Sequence, residues 1–308
     1  MTQALTPLNP PALQHLAEVP LELEWFANLD SPQTRRAYQQ AIQDFTTFFD
    51  ITQPDQFRLI TRAHVIAWRD HVKRRGLSAN TVRHRLAALS SLFDYLCDRN
   101  AVTNNPVQGV KRPRADGTTA RTPALGDAQA RQLLEAPQGD TLKAIRDRAI
   151  LATLLYHGLR REELCTLKVM DFKHERRGVR HLIVTGKGQK TRYIPLHPAA
   201  SSLIHDYLHQ AGHANDTNGA LFRALPPAKK PSITPDAVWR IVKKYSSQLG
   251  FPVAPHSLRA TAATNALDHE ADIAKVQEWL GHANISTTRI YDHRQTRPED
   301  SPTFKIRY

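Results

Sequence analysis

Apolar residues recur at helical spacing through most of the first hundred positions. Tyr38, Ile42, Phe45 and Phe49 follow one another at +4, +3 and +4, which places them on one face of a helix. Ser31-Pro32 ahead of them supplies an N-cap and then a proline at the first helical position. Val82, Leu86, Leu89, Phe93 and Leu96 keep the same rhythm in a helix opened by Ser78 and running to about Arg99. Between the two, Thr61 caps a helix ending near Arg75, with Gly76 as its stop. A short helix is expected around Leu21–Leu29. Residues 31–105 thus read as a small helical bundle.

The pattern dissolves between Asn104 and Pro123 into Asn, Pro, Gly and Thr, which is linker composition. Beyond it, Asp127 opens a short helix and Thr141–Tyr156 a more buried one. Val179–Thr185 and Arg192–Leu196 read as strands joined by a hairpin turn at 186–190. Helices are expected again over Ser201–Gln210, Pro235–Leu249, Ser257–Leu267, Ile273–Leu280 and from Ser286. The fold class is therefore mainly α with a small antiparallel β-sheet. The division is an acidic leader at 1–30, a helical domain at 31–110, a basic linker at 111–122 and a second domain at 123–308.

Composition narrows the partner. The 308 residues are 41% hydrophobic and 23% charged, and 42 Lys and Arg against 29 Asp and Glu give a formal +13. That balance points to a polyanion, nucleic acid before an anionic membrane surface. The charge is also polarised. Residues 1–57 carry 2 basic and 7 acidic groups, whereas residues 58–122 carry 13 and 4. Arg62, Arg69, Lys73, Arg74, Arg75, Arg83 and Arg85 on two consecutive helices, with Lys111, Arg112 and Arg114 in the linker, are the candidate phosphate contacts. Two cysteines, Cys97 and Cys165, have no metal or disulfide spacing, no HExxH run is present, and no metal site is expected. No secretory signal or membrane-length apolar run appears, so a cytoplasmic protein is expected.

Taken singly, the chemical motifs are weak. Gly186-Lys187-Gly188 lacks the following Ser or Thr and the helix of a P-loop, so no ATP site is expected. His256 and Arg259 stand three apart at a helix start, near backbone N–H groups suited to an anion. His282 follows a helix end, and Tyr291 follows an isoleucine nine residues later. Arg160 and Arg161 with Glu162 and Glu163, taken alone, read first as an ion-pair cluster.

In order, however, GLRxxEL at Gly158–Leu164, TGKG between two strands, HxLR at His256–Arg259, LGH at Leu280–His282 and then Tyr291 resemble the tyrosine recombinase/integrase family. The resemblance spans about residues 20–308, and the stretch from Val276 to Tyr291 follows the family's C-terminal signature almost throughout. Ala260 and Asn265 depart from it, at positions outside the catalytic set. About 30 residues precede the first bundle helix, so a simple, Xer-sized member without a further arm-binding domain is expected.

What the resemblance implies is specific. Arg160, Lys187, His256, Arg259 and His282 would be catalytic and Tyr291 the nucleophile, which attacks the scissile phosphate and leaves a 3′-phosphotyrosine and a free 5′-hydroxyl. No metal, ATP or other cofactor is required. The implied architecture is a helical core-binding bundle and a mixed α/β catalytic domain forming a C-shaped clamp on double-stranded DNA recombination sites. The implied assembly is a homo-tetramer on two sites with C-terminal tail exchange, the tail carrying Phe304, Ile306 and Tyr308, with room for an accessory DNA-bending protein or a partner recombinase. A type IB-like topoisomerase and a non-catalytic DNA-binding regulator on the same fold are the alternatives. Strand exchange between two marked duplexes, against relaxation of one, would separate the first, and the complete set of six residues argues against the second.

Overall fold

The computed structural model describes residues 21–29, 31–114, 123–186, 190–226, 231–292, Thr303 and Ile306. The chain divides into two compact units, Met1–Ala120 and Arg121–Tyr308.

The first unit contains α1 (Leu21–Ala27), α2 (Pro32–Phe48), α3 (Arg62–Arg74) and α4 (Ala79–Asp98). Ser31 and Ser78 accept from backbone N–H groups of Thr34 and Thr81, as their positions in the sequence predict. All five residues of the α4 stripe are buried and pack with Phe45, Val65, Trp68 and Val72. Full burial of each such side chain contributes about 1.5–3 kcal/mol. The expected linker begins later than its composition indicates. Val107 and Val110 join this core, and Asn105 donates to Ser90 and Asp94 while accepting from the Val107 N–H. A polar side chain with that many local partners folds its segment onto the bundle. A 3-10 turn at Pro54–Leu59 also lay outside the periodic pattern.

The second unit is built around α6 (Leu142–His157), which follows α5 (Asp127–Glu135). Ala149, Ile150, Leu151, Ala152 and Leu154 bury most of its circumference, so it is a central helix with little amphipathic signal. Its buried Asp147 accepts from Arg146, Lys143 and the Tyr245 hydroxyl, which satisfies the charge. Two short helices that no period in the sequence revealed come next, α7 (Arg161–Thr166) and α8 (Val169–Phe172). The sheet order is β1 (His174–Arg176), β2 (Val179–Thr185), β3 (Thr191–Pro195), antiparallel throughout. Leu182 and Val184 of β2 turn inward, and Leu182 faces Ile194 across the pair. The three-residue β1 was not expected, being too short and too exposed to alternate.

Then come α9 (Pro198–Gln210), α10 (Pro235–Gln248), α11 (Pro255–Asp268), α12 (Ile273–Leu280) and α13 (Ser286–Arg289). Helices α9 and α11 both pack on α6. Buried His157 at the end of α6 accepts the His197 N–H on Nε2, tying α6 to the start of α9. Among the described residues no helix is long and apolar enough to cross a membrane.

Candidate active site

The GLRxxEL run is a helix end followed by a helix start. Gly158 closes α6 in the left-handed region (φ 57°), which allows the sharp change of direction that a side chain would oppose. Arg160 then occupies the N-cap of α7, and Glu163 reaches back from the first turn to accept its backbone N–H at 2.8 Å. The same carboxylate accepts from Nη1 of Arg160 at 2.7 Å. Burial alone pushes the Glu163 carboxyl up, but hydrogen bonds from Arg192 and Arg160 outweigh that and hold it below the usual carboxylate range.

His256 and Arg259 sit in the first and second turns of α11, opened by Pro255. His256 is exposed, whereas Arg259 is only 1% exposed. Arg259 donates from Nη1 to the Gly158 carbonyl at 2.5 Å and from Nη2 to the Leu280 carbonyl at 2.6 Å. Both acceptors are orphan carbonyls at helix ends, so the arginine stitches α6, α11 and α12 together. Its Nε is buried without a hydrogen-bond partner among the described residues. Burial and the neighbouring Arg160 bring its pKa down to about 10, which leaves it charged at neutral pH.

Gly281 ends α12 with φ 69°, and the chain turns there into His282. The His282 Nδ1 lies 2.9 Å from the buried hydroxyl of Thr288, and Nε2 has no hydrogen-bond partner among the described residues. Burial, then the charges of Arg259 and Arg160, push its pKa down to about 4. The same causes, in the same order, lower His256. Both imidazoles are therefore neutral at pH 7, the form in which a histidine accepts a proton.

Tyr291 is not at the surface and not within a helix. It lies two residues beyond α13 and is 4% exposed, packed with Ala260, Ala263 and Leu280. Its ring stacks near that of His282, centroids 6.2 Å apart. Burial raises the phenol pKa, and Arg259 and Arg160 oppose that rise, so both guanidiniums act on the phenolic oxygen. Arg160, His256, Arg259, His282 and Tyr291 are thus brought to one place from four helix ends. Lys187 lies outside the described residues. Sequence reasoning passed over Arg192, whose signal, a lone arginine at a strand start, is indistinguishable from a solvated one.

In the helical unit, the ten candidate DNA contacts separate into two groups. Arg74, Arg83, Lys111, Arg112 and Arg114 are exposed, as is Arg62, whose guanidinium packs against Gly109. Arg75 and Arg85 instead converge on Asp44, Arg69 grips Asp70 and the Lys111 carbonyl, and Lys73 pairs loosely with Asp70 at 3.7 Å.

The phage integrase family profile matches residues 124–297, and the profile of the phage integrase N-terminal SAM-like domain matches residues 25–100. The chain belongs to the phage integrase family. It is a tyrosine recombinase, as its relatives are named. Tyrosine recombinase XerC of Herpetosiphon aurantiacus is 32% identical over 262 residues, 84% of each chain. Tyrosine recombinase XerD of Listeria innocua is 31% identical over 283 residues, covering 85% of this chain and 88% of its own. The recombinase also shares its mainly helical fold with solved relatives. The XerH site-specific recombinase, bound to a palindromic difH substrate after cleavage, aligns with a TM-score of 0.69 at 23% identity, over 84% of this chain and 76% of that one. A lambda integrase dimer on a COC′ core site aligns at 0.66 and 18% identity, over 93% and 95%.

Proposed function

We propose that this recombinase cuts and rejoins double-stranded DNA at paired recombination sites through Tyr291. The phenolic oxygen attacks the scissile phosphorus, the bond from phosphorus to the 5′-oxygen breaks, and a 3′-phosphotyrosine remains. His256, neutral and exposed, takes the phenol proton, and Lys187 returns a proton to the departing 5′-oxygen. Arg160 and Arg259 neutralise charge growing on the non-bridging oxygens with fixed, forked donors. Nε2 of His282 bonds a phosphate oxygen. A 5′-hydroxyl from another strand reverses the sequence, so the bond energy is conserved without ATP or metal.

The observation that carries this reading is the placement of Tyr291 beside His282 and within the field of Arg259 and Arg160. In the helical unit, Arg62, Arg74, Arg83, Lys111, Arg112 and Arg114 track phosphates, and the acidic leader stays off the DNA. Four copies acting on two sites would exchange C-terminal tails. A cavity of about 630 Å³ in the catalytic unit, walled by Leu134, Leu155, Ala262, Val276 and Trp279, suits the apolar tail pattern of Phe304, Ile306 and Tyr308. A partner recombinase or a DNA-bending protein fits the same scheme, and the place of action is the bacterial nucleoid.

A suicide duplex nicked next to the scissile phosphate tests the chemistry. Tyr291→Phe should bind it as the parent does yet form no denaturation-resistant adduct; an adduct from that variant refutes the assignment.

A further inference from the structure

The guanidinium of Arg192, on β3, lies where three segments distant in sequence meet. Nη1 donates to Oε1 of Glu163 at 3.0 Å and Nη2 to Oε2 at 2.7 Å, a two-pronged pairing. Those two oxygens are also the ones that accept from Arg160, at 2.7 and 2.8 Å. One buried carboxylate therefore serves two arginines. The backbone is packed directly on the same guanidinium. A Cβ added at Gly281 would lie 3.1 Å from Nη1 of Arg192, and one added at Gly186 3.2 Å from it. Gly281 precedes His282, and Gly186 closes the end of β2 through its N–H to the Lys190 carbonyl.

Charge balance gives this arrangement a consequence. Arg160 and Glu163 alone form a neutral pair, in which the carboxylate cancels much of the field that Arg160 presents to a phosphate. With Arg192 the group carries a net positive charge, and the carboxylate is pulled from both sides into a fixed position. A lysine at 192 would keep the charge but could not engage both oxygens.

We propose that Arg192 is a positioning residue for strand cleavage. It holds Glu163 so that Arg160 stays aimed at, and electrostatically available to, the scissile phosphate, and it braces the Gly281 turn that presents His282. The inference rests on the reading of Arg160 as a phosphate-stabilising arginine. It asks no direct DNA contact of Arg192, whose side chain is 15% exposed.

The test is a double-mutant cycle on single-turnover cleavage of the nicked duplex, using full-length protein. Arg192→Ala should slow cleavage about 10²-fold, the usual cost of misplacing a catalytic group by an ångström, with DNA affinity held within about threefold. Arg192→Lys should recover part of that loss. On an Arg160→Lys background, adding Arg192→Ala should slow cleavage far less than it does in the parent, about threefold at most, because the main part of its effect runs through Arg160. Losses that multiply, a parental rate for Arg192→Ala, or a defect wholly in binding would each overturn the proposal. Parental cleavage by Arg160→Lys would instead remove the Arg160 reading, and the inference with it. If Arg192→Ala loses its cooperative unfolding transition, the cycle is run with Arg192→Lys, and multiplying losses there overturn the proposal equally.

Discussion

Gly158 joins backbone geometry to catalysis, and replacing it with alanine separates the two. At φ 57° an alanine in the left-handed region costs about 1–2 kcal/mol, offset in part by about 0.4–1 kcal/mol from a stiffer unfolded chain. The new methyl would also sit 2.9 Å from Cδ2 of Leu280 and 3.5 Å from the Trp279 ring. Leu280 is wholly buried, so it cannot swing aside, and overpacking of this kind costs about 1–3 kcal/mol. The sum is about 1–5 kcal/mol, centred near 3 kcal/mol. Gly178, at φ 74° with nothing within 4 Å of a new Cβ, is the matched control, because Gly178→Ala carries the strain without the clash. Calorimetry of the whole chain should show the catalytic unit of Gly158→Ala melting roughly 5–10 °C lower, at about 2–4 °C per kcal/mol for a unit of this size. Gly178→Ala should lose roughly a third of that. Because the Gly158 carbonyl anchors Arg259, an ångström of displacement should slow cleavage by Gly158→Ala about 10²-fold at a temperature where it is folded. Gly178→Ala should cleave normally. Equal melting of the two variants, or parental cleavage by Gly158→Ala, would refute the reasoning.

Acid should destabilise the catalytic unit through His157. Burial depresses its folded-state pKa to about 4 from 6.5, so as pH falls the unfolded chain takes up the proton first. Stability present above about 6.5 is then lost progressively toward pH 4, by up to about 3 kcal/mol, at 1.36 kcal/mol per unit. Denaturant midpoints measured across that range should fall, and His157→Gln should flatten the dependence. On DNA, changing Arg74 and Arg83 together to Gln should lower the slope of log affinity against log salt by about 1.8, at about 0.9 per phosphate contact. Arg75→Gln with Arg85→Gln should leave that slope nearly unchanged and lower stability instead. Burial pushes the Asp44 carboxyl up, but the hydrogen bonds and charges of Arg75 and Arg85, with the Trp68 N–H, outweigh that and hold it below the usual range.

The sequence by itself determined the helices whose one face is buried. In α2 and α4 the apolar stripes, serine caps and flanking turns point to the same element, because an amphipathic helix writes its environment at a fixed period. It also determined the order GLRxxEL, HxLR, LGH and Tyr, and with it the family and the candidate residues. The short elements α7, α8 and β1 were not legible, since four to six residues held by tertiary contacts need no period of their own. Asn105–Val110 had the composition of a linker and the contacts of a core. Only the tertiary structure decided which charges are spoken for. Ten basic residues look alike along the chain, yet Arg75 and Arg85 are consumed by Asp44 while Arg74 and Arg83 face solvent. It also decided that Tyr291 is buried beside His282, and that Arg192 shares Glu163 with Arg160. An ion pair between residues 29 apart leaves no pattern in a sequence, because its partner is chosen by how β3 and α7 pack.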